Sequence, residues 1–166
     1  MLRSLHMKLV LIMILLVVCL MTITGAFLIN SVNRFYLNEF YTQMAEVFSR
    51  DTEFVRDLVT AKEGETDGAQ AIDQILLAKM GTLGVDGKNR NYYILDGKTG
   101  AILSSSDGDA GQSLEGLTPN LLIALNEGRE GNESDLTANY MDLALPISRG
   151  GQDYIIYVLD QCSTVR

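Results

Sequence analysis

Apolar and polar positions divide the chain into stretches of different periodicity. Leu9 to Ile29 (LVLIMILLVVCLMTITGAFLI) is a run of 21 residues without a charge. About 20 apolar residues, rising 1.5 Å each, cross the hydrocarbon of a bilayer. The run is longer than the apolar core of about 7–15 residues found in a cleaved signal peptide. Large residues, Phe27, Leu28 and Ile29, follow Gly25-Ala26 directly, so an uncleaved anchor is expected. From Asn30 to Thr60 there is neither Gly nor Pro. Apolar residues recur there in steps of three and four, at Val32, Phe35, Leu37, Phe40, Tyr41, Met44, Val47, Phe48, Val55, Leu58 and Val59. That spacing predicts one amphipathic helix over 30–60, continuing out of the span. Its stripe can pack on its own domain, pair with a second copy, or do both at different ends. The expected homodimer seam is Leu37, Phe40, Tyr41, Met44, Val47 and Phe48.

Beyond Thr60 the period changes. Lys62 to Gly68 is a polar loop, and Ala69 to Met80 is a short helix with Ile72, Ile75, Leu76 and Met80 on one face, closed by Gly81 and Gly84. Asn91 to Asp96 is a strand, Gly97 to Gly100 a tight turn and Ala101 to Ser106 a returning strand, which makes a hairpin. Asp107 to Gly116 is a polar loop. Thr118 is placed to cap a helix that starts with Pro119, carries Leu121, Leu122, Ile123 and Leu125, and stops at Gly128. After a polar loop over Arg129–Asn139, Tyr140–Ile147 and Asp153–Leu159 are strands joined around Gly150-Gly151. The expected fold class is α+β, an antiparallel sheet flanked by helices. The expected organisation is a tail over 1–8, a transmembrane helix over 9–29, a long membrane-proximal helix over 30–60 and a domain over 61–166.

Charge sharpens this division. The chain carries 13 basic and 21 acidic residues, a net charge of −8. Before Asn30 the only charges are Arg3 and Lys8, so the remainder carries 11 − 21 = −10. Such a domain is unsuited to nucleic acid, which needs a basic face, and does not dock on anionic lipid through charge. Arg3 and Lys8 precede the span, and Arg34, then Glu39, Glu46 and Asp51, follow it, so the N-terminus is expected in the cytoplasm and the domain outside the cell membrane. Cys19 lies inside the apolar run and Cys162 near the end, so neither a disulfide between them nor a cysteine metal site is expected.

Motifs with chemistry are few. Gly97-Lys98-Thr99 lacks the glycine of a phosphate loop five positions earlier, where Tyr92 stands, and precedes a strand instead of a helix. Asp107-Gly-Asp109 opens like a calcium loop, but Gln112 and Thr118 occupy positions that require Gly and Glu. The single histidine, His6, precedes the span, so no Ser–His or Cys–His pair can form in the domain. Catalytic residues, metal and cofactor are therefore not expected. Asn132-Glu-Ser134 fits a glycosylation acceptor, relevant only to a eukaryotic secretory route. The candidate binding residues are Arg90, Tyr92 and Tyr93 at the start of one strand and Tyr140 and Asp142 at the start of another. If those strand ends meet, Arg90 can grip a carboxylate and Asp142 can face an ammonium. The competing reading, which strand alternation favours, packs the tyrosines on both sheet faces and leaves Arg90 and Asp142 exposed.

The opening Met1-Leu-Arg-Ser-Leu-His-Met-Lys-Leu, the segments Phe27-Leu-Ile-Asn-Ser-Val-Asn-Arg-Phe-Tyr and Glu39-Phe-Tyr-Thr-Gln-Met, and the span between them resemble the N-terminus of bacterial two-component sensor histidine kinases. The likeness is greatest to the cell-wall-metabolism sensor kinases of Gram-positive anaerobes. Tyr93-Ile-Leu-Asp-Gly-Lys-Thr-Gly-Ala-Ile-Leu-Ser-Ser-Ser-Asp is similar to the central hairpin of their extracellular PAS-like (single Cache) domains, and Tyr140 to Asp160 to the last two strands. The resemblance implies a sensory module that binds a small-molecule or protein signal outside the cell and shifts the long helix against a dimer mate. It also implies a second span, a HAMP linker and a kinase core after Asp160. No position up to Arg166 matches a kinase residue, so none is carried over and a truncated chain is expected. The alternative is an anchored binding domain without kinase output.

Overall fold

The apolar run and the first part of the stripe form a single helix, α1 (Leu2–Val47). The computed structural model describes residues 2–108, 114 and 116–161, and the side chains of all of these except Leu2 and Arg3. Asp109 and Gln112 of the calcium-loop reading, Cys162 and the Arg3 side chain lie outside that description. The chain divides into two compact units, Met1–Asn38 and Glu39–Arg166.

In the first unit α1 is long and apolar enough to cross a membrane, with a mean hydropathy of 2.9 in its most apolar window. Its large apolar side chains from Leu5 to Tyr36 are exposed. The Thr22 and Thr24 hydroxyls each donate to a carbonyl one turn back, Val18 O and Leu20 O, at 2.8 Å. The helix thus satisfies its own polar groups, as lipid requires.

The second unit begins at Glu39, earlier than the boundary at 61 expected from sequence. The reason is burial: Phe40, Met44 and Phe48 on α1 belong to the domain's core, with Phe54 and Leu58 further on. Nor does one helix run to residue 60. After Val47 the chain breaks and restarts as α2 (Glu53–Val59). Thr52 causes the restart. Its hydroxyl donates to Ser49 O at 2.7 Å and accepts from Val55 N at 3.3 Å, so it caps a new helix. The bend stacks Phe48 near Phe54, with ring centroids 5.6 Å apart.

Asp67 caps α3 (Gly68–Ala78) by accepting from Ala69 N and Gln70 N, and α4 (Met80–Leu83) follows, ended by Gly84. The sheet contains β1 (Arg90–Asp96), β2 (Ile102–Ser105), β3 (Tyr140–Arg149) and β4 (Gln152–Gln161). Its order is β2-β1-β4-β3, antiparallel throughout. The first and last strands are therefore neighbours. β3 and β4 pair from Tyr140↔Gln161 to Arg149↔Gln152 and turn through Gly150 and Gly151, both at positive φ (59° and 79°). A two-residue hairpin turn of that hand demands such residues. Both strands extend slightly past the expected ends.

Residues on successive positions face opposite sides of the sheet. One side carries Tyr93, Leu95, Ala144, Ile155 and Tyr157, packed against Leu121 and Ala124 of α5 (Pro119–Glu127). The other carries Tyr92 and Arg149, which bond to α3 and α2. At the outer edge of β3, Gly131 exchanges hydrogen bonds with Ala144 at 2.8 and 2.9 Å. Only glycine fits there, since a Cβ would stand 2.0 Å from Asn120 O.

Candidate functional site

Pairing of Asn91 with Leu159 and of Leu159 with Asp142 puts these residues on one side of the sheet, and pairing of Arg90 with Asp160 puts Arg90 on the other. The five residues singled out as one pocket are thus split. Arg90 and Tyr92 lie on the face of α2–α4, while Tyr93, Tyr140 and Asp142 lie on the face of α5. The competing expectation of exposed charges also needs correction. Asp142 is 2 % exposed and the Arg90 side chain 16 %, because each is enclosed by partners.

Arg90 sits at a junction. Its Nε donates to Asp160 Oδ2 at 2.8 Å, across the β1–β4 ladder. Its Nη1 donates to Leu83 O of α4 at 3.0 Å and to Gln43 Oε1 of α1 at 3.3 Å. The guanidinium lies over the Phe40 ring, 5.0 Å from its centroid, a favourable cation–π distance. Gln43 in turn donates through Nε2 to Thr82 O at 2.7 Å. One side chain therefore joins α1, α4 and the end of β4.

Asp142 is held differently. Thr118 Oγ1 and Tyr157 OH donate to its Oδ2 at 2.5 and 2.8 Å, and Asn120 Nδ2 donates to its Oδ1 at 2.7 Å. No basic side chain bonds to it among the described residues. Thr118 is the N-cap of α5 and Asn120 lies in its first turn, so the carboxylate stands at the positive end of that helix, where anionic charge is favoured. Asn120 also exchanges bonds with the Glu133 backbone at 2.8 Å each way, and Tyr41 OH of α1 donates to Glu133 O at 3.0 Å. Burial, then the Asp142 charge, raises the Tyr157 phenol well above its usual range. The same two causes, in the same order, push the Tyr41 phenol up to about 12.

The other two tyrosines are equally committed. Tyr92 OH donates to Asp73 of α3 and Tyr93 OH to Asp107, each at 2.7 Å. Tyr140 is half-buried on the Asp142 face. Of the expected dimer seam, Phe40, Met44 and Phe48 are buried in the chain's own domain, and Leu37, Tyr41 and Val47 are half-buried. Self-packing thus claims the central members of that stripe.

A third cluster escaped the sequence reading. Arg149, at the end of β3 and 2 % exposed, forms a two-pronged ion pair with Glu65, Nε to Oε1 at 2.7 Å and Nη2 to Oε2 at 2.8 Å. Its Nη1 donates to Asp57 O and Leu58 O at 2.6 and 3.0 Å. The Arg149 hydrogen bonds hold the Glu65 carboxyl down at about 2. Thr118 was recognised as a cap but not as an Asp142 partner; Asn120, Tyr157, Asp160, Gln43, Glu65 and Arg149 were missed. Among the described residues no group of three or more His, Cys, Asp or Glu is placed to hold a metal ion. Titratable groups in these clusters are bonded to one another, which suits them to fixing elements in place. No protein-family model matches the chain, and no curated protein or solved structure does so either.

Proposed function

We propose that this chain is the extracytoplasmic signal-sensing part of a membrane-bound two-component sensor histidine kinase, with a PAS-like domain carried on a signal anchor whose N-terminus is cytoplasmic. The observation that carries this reading is the Arg90 junction. α1 is one helix from the apolar run to Val47, and Arg90 ties its Gln43 and Phe40 to Asp160, one residue from the end of the last strand. A sensor of this kind needs the chain that enters its domain and the chain that leaves it to move as a coupled pair. A signal that binds one arrangement of the domain better than another shifts that pair by its difference in affinity. Arg3 and Lys8 ahead of the run, against Arg34 alone in the near flank after it, support the orientation. The antiparallel sheet with helices on both faces accords with the PAS-like layout that the sequence resembles.

The signal is a small molecule or a partner protein. The protein acts as a homodimer, with contacts other than the buried Phe40, Met44 and Phe48. Sequencing the source locus past codon 166 tests the reading. A second apolar span followed by a histidine-bearing dimerisation helix is the expected result. An immediate stop would overturn kinase output and leave an anchored binding domain as the account.

A further inference from the structure

We infer that Phe35 and Tyr36 of α1, beside Arg34, seat in the headgroup layer of a lipid bilayer and fix the depth of the helix. This rests on the reading of Leu9–Ile29 as a span. Phe35 and Tyr36 are 64 % and 58 % exposed, and their rings meet edge to face at 6.0 Å. Two large aromatic side chains left in water are unfavourable, so their placement needs an occupant.

Position along the helix identifies lipid. The 21-residue run is about 32 Å long at 1.5 Å per residue, matching a hydrocarbon core of about 30 Å. Above Ile29, Val32 stands about 4.5 Å higher and Phe35 about 9 Å higher on the same rise. Helical side chains lean toward the N-terminus, which here is the membrane side, so both rings reach back toward the layer of about 5–7 Å that headgroups occupy. Along the same stretch the apolar run ends at Ile29, the polar Asn30, Ser31 and Asn33 flank Val32, Arg34 and the aromatic pair follow, and the first acidic residue is Glu39. Tyrosine, apolar in body and polar at its tip, is enriched at this depth.

A second copy fits less well. Val32, Phe35 and Glu39 lie in steps of three and four on one side of α1, and Glu39 is exposed. A seam of two copies along that side would set Glu39 against its like. Phe35 and Tyr36 are also adjacent, about 100° apart around the axis, which suits a surrounding lipid layer better than a narrow seam.

The absence of tryptophan from the sequence makes the test direct. The full chain is reconstituted in phosphatidylcholine vesicles as two single-tryptophan reporters, Phe35→Trp and, within the span, Ile14→Trp. Quenching is compared for a nitroxide on the lipid headgroup, a nitroxide near the acyl-chain end, and aqueous iodide. The expected result is that the Phe35→Trp reporter loses most emission to the headgroup probe and the Ile14→Trp reporter to the deep probe. If iodide alone quenches the Phe35→Trp reporter while the deep probe still quenches the Ile14→Trp reporter, the headgroup seat is wrong and the span stands. If the Phe35→Trp reporter is shielded from all three probes, a second copy covers it and the proposal is overturned. If neither reporter responds to a lipid probe, the span reading falls and the proposal with it.

Discussion

Arg90 opens β1 and Asp142 is the third residue of β3, two strands of one sheet with β4 between them, and their sequence contexts are alike: a charge beside tyrosines near the start of a strand. Their surroundings are opposite. Arg90 meets a carboxylate, two carbonyl-type oxygens and an aromatic ring on the face of α1 and α4. Asp142 meets two hydroxyls, an amide and the N-terminus of α5 on the other face. A guanidinium with several spread donors can bridge three separate elements, whereas a carboxylate, with two oxygens close together, gathers donors from one helix start and the neighbouring strand. The same difference assigns their tasks. Asp142 fixes α5 to the sheet; Arg90 fixes α1 to the last strand.

Substitutions separate these tasks. The largest effect is expected from Asp142→Ala, which removes the shared carboxylate acceptor of Thr118, Asn120 and Tyr157 and opens a small cavity. Denaturant unfolding of the detergent-solubilised chain should show a loss of about 4 kcal/mol. Asp142→Asn keeps an acceptor for Asn120 and can donate to the two hydroxyls, so its loss should be about 1 kcal/mol. An equal loss in both variants would mean that charge at the α5 terminus, not hydrogen bonding, dominates. Arg149→Ala leaves the Asp57 and Leu58 carbonyls without their donor and should cost about 3 kcal/mol by the same measurement. Arg90→Ala loses an ion pair and ring contact at a less buried site, and about 2 kcal/mol is expected.

Tyr41→Phe removes one hydrogen bond, about 1 kcal/mol, and also alters alkaline behaviour. The folded phenol titrates at about 12 against an ordinary 10.0. The folded state therefore favours the protonated phenol. That contribution is complete below pH 10 and is lost as pH rises toward 12. A stability profile across this interval should be flatter in the Phe variant. The Glu65 carboxyl runs the other way, lowered from 4.5 to about 2. Its contribution is present above pH 4.5 and disappears as pH falls toward 2. Arg149→Ala should remove that acid-limb slope, and an unchanged slope would show that Arg149 is not its source.

Local signals made much of the fold legible. Thr118, Pro119 and Gly128 marked α5 at both ends, and Gly150-Gly151 marked the β3–β4 turn. Thr52 was not read as a cap, because the apolar period across it suggested one continuous helix; the cap prevails because the bend buries Phe54 and Leu58. The site was less legible, for a geometric reason. Whether Arg90 and Asp142 share a face depends on which strands are neighbours, and β1 pairs with β4, far away in sequence. Once that pairing is known, Asp160 opposite Arg90 follows from antiparallel register. The Arg149–Glu65 pair joins residues 84 apart through a strand end and a loop, and no periodicity reports such a contact.

The claim that α1 and the last strand are coupled through Arg90 is tested most directly by amide hydrogen exchange on the full chain and its Arg90→Ala variant. Exchange is expected to speed up together in Phe40–Val47 of α1 and Val158–Gln161 of β4, while α5, held by Asp142, keeps its protection. Faster exchange in only one of the two segments, or an equal rise in α5, would contradict it.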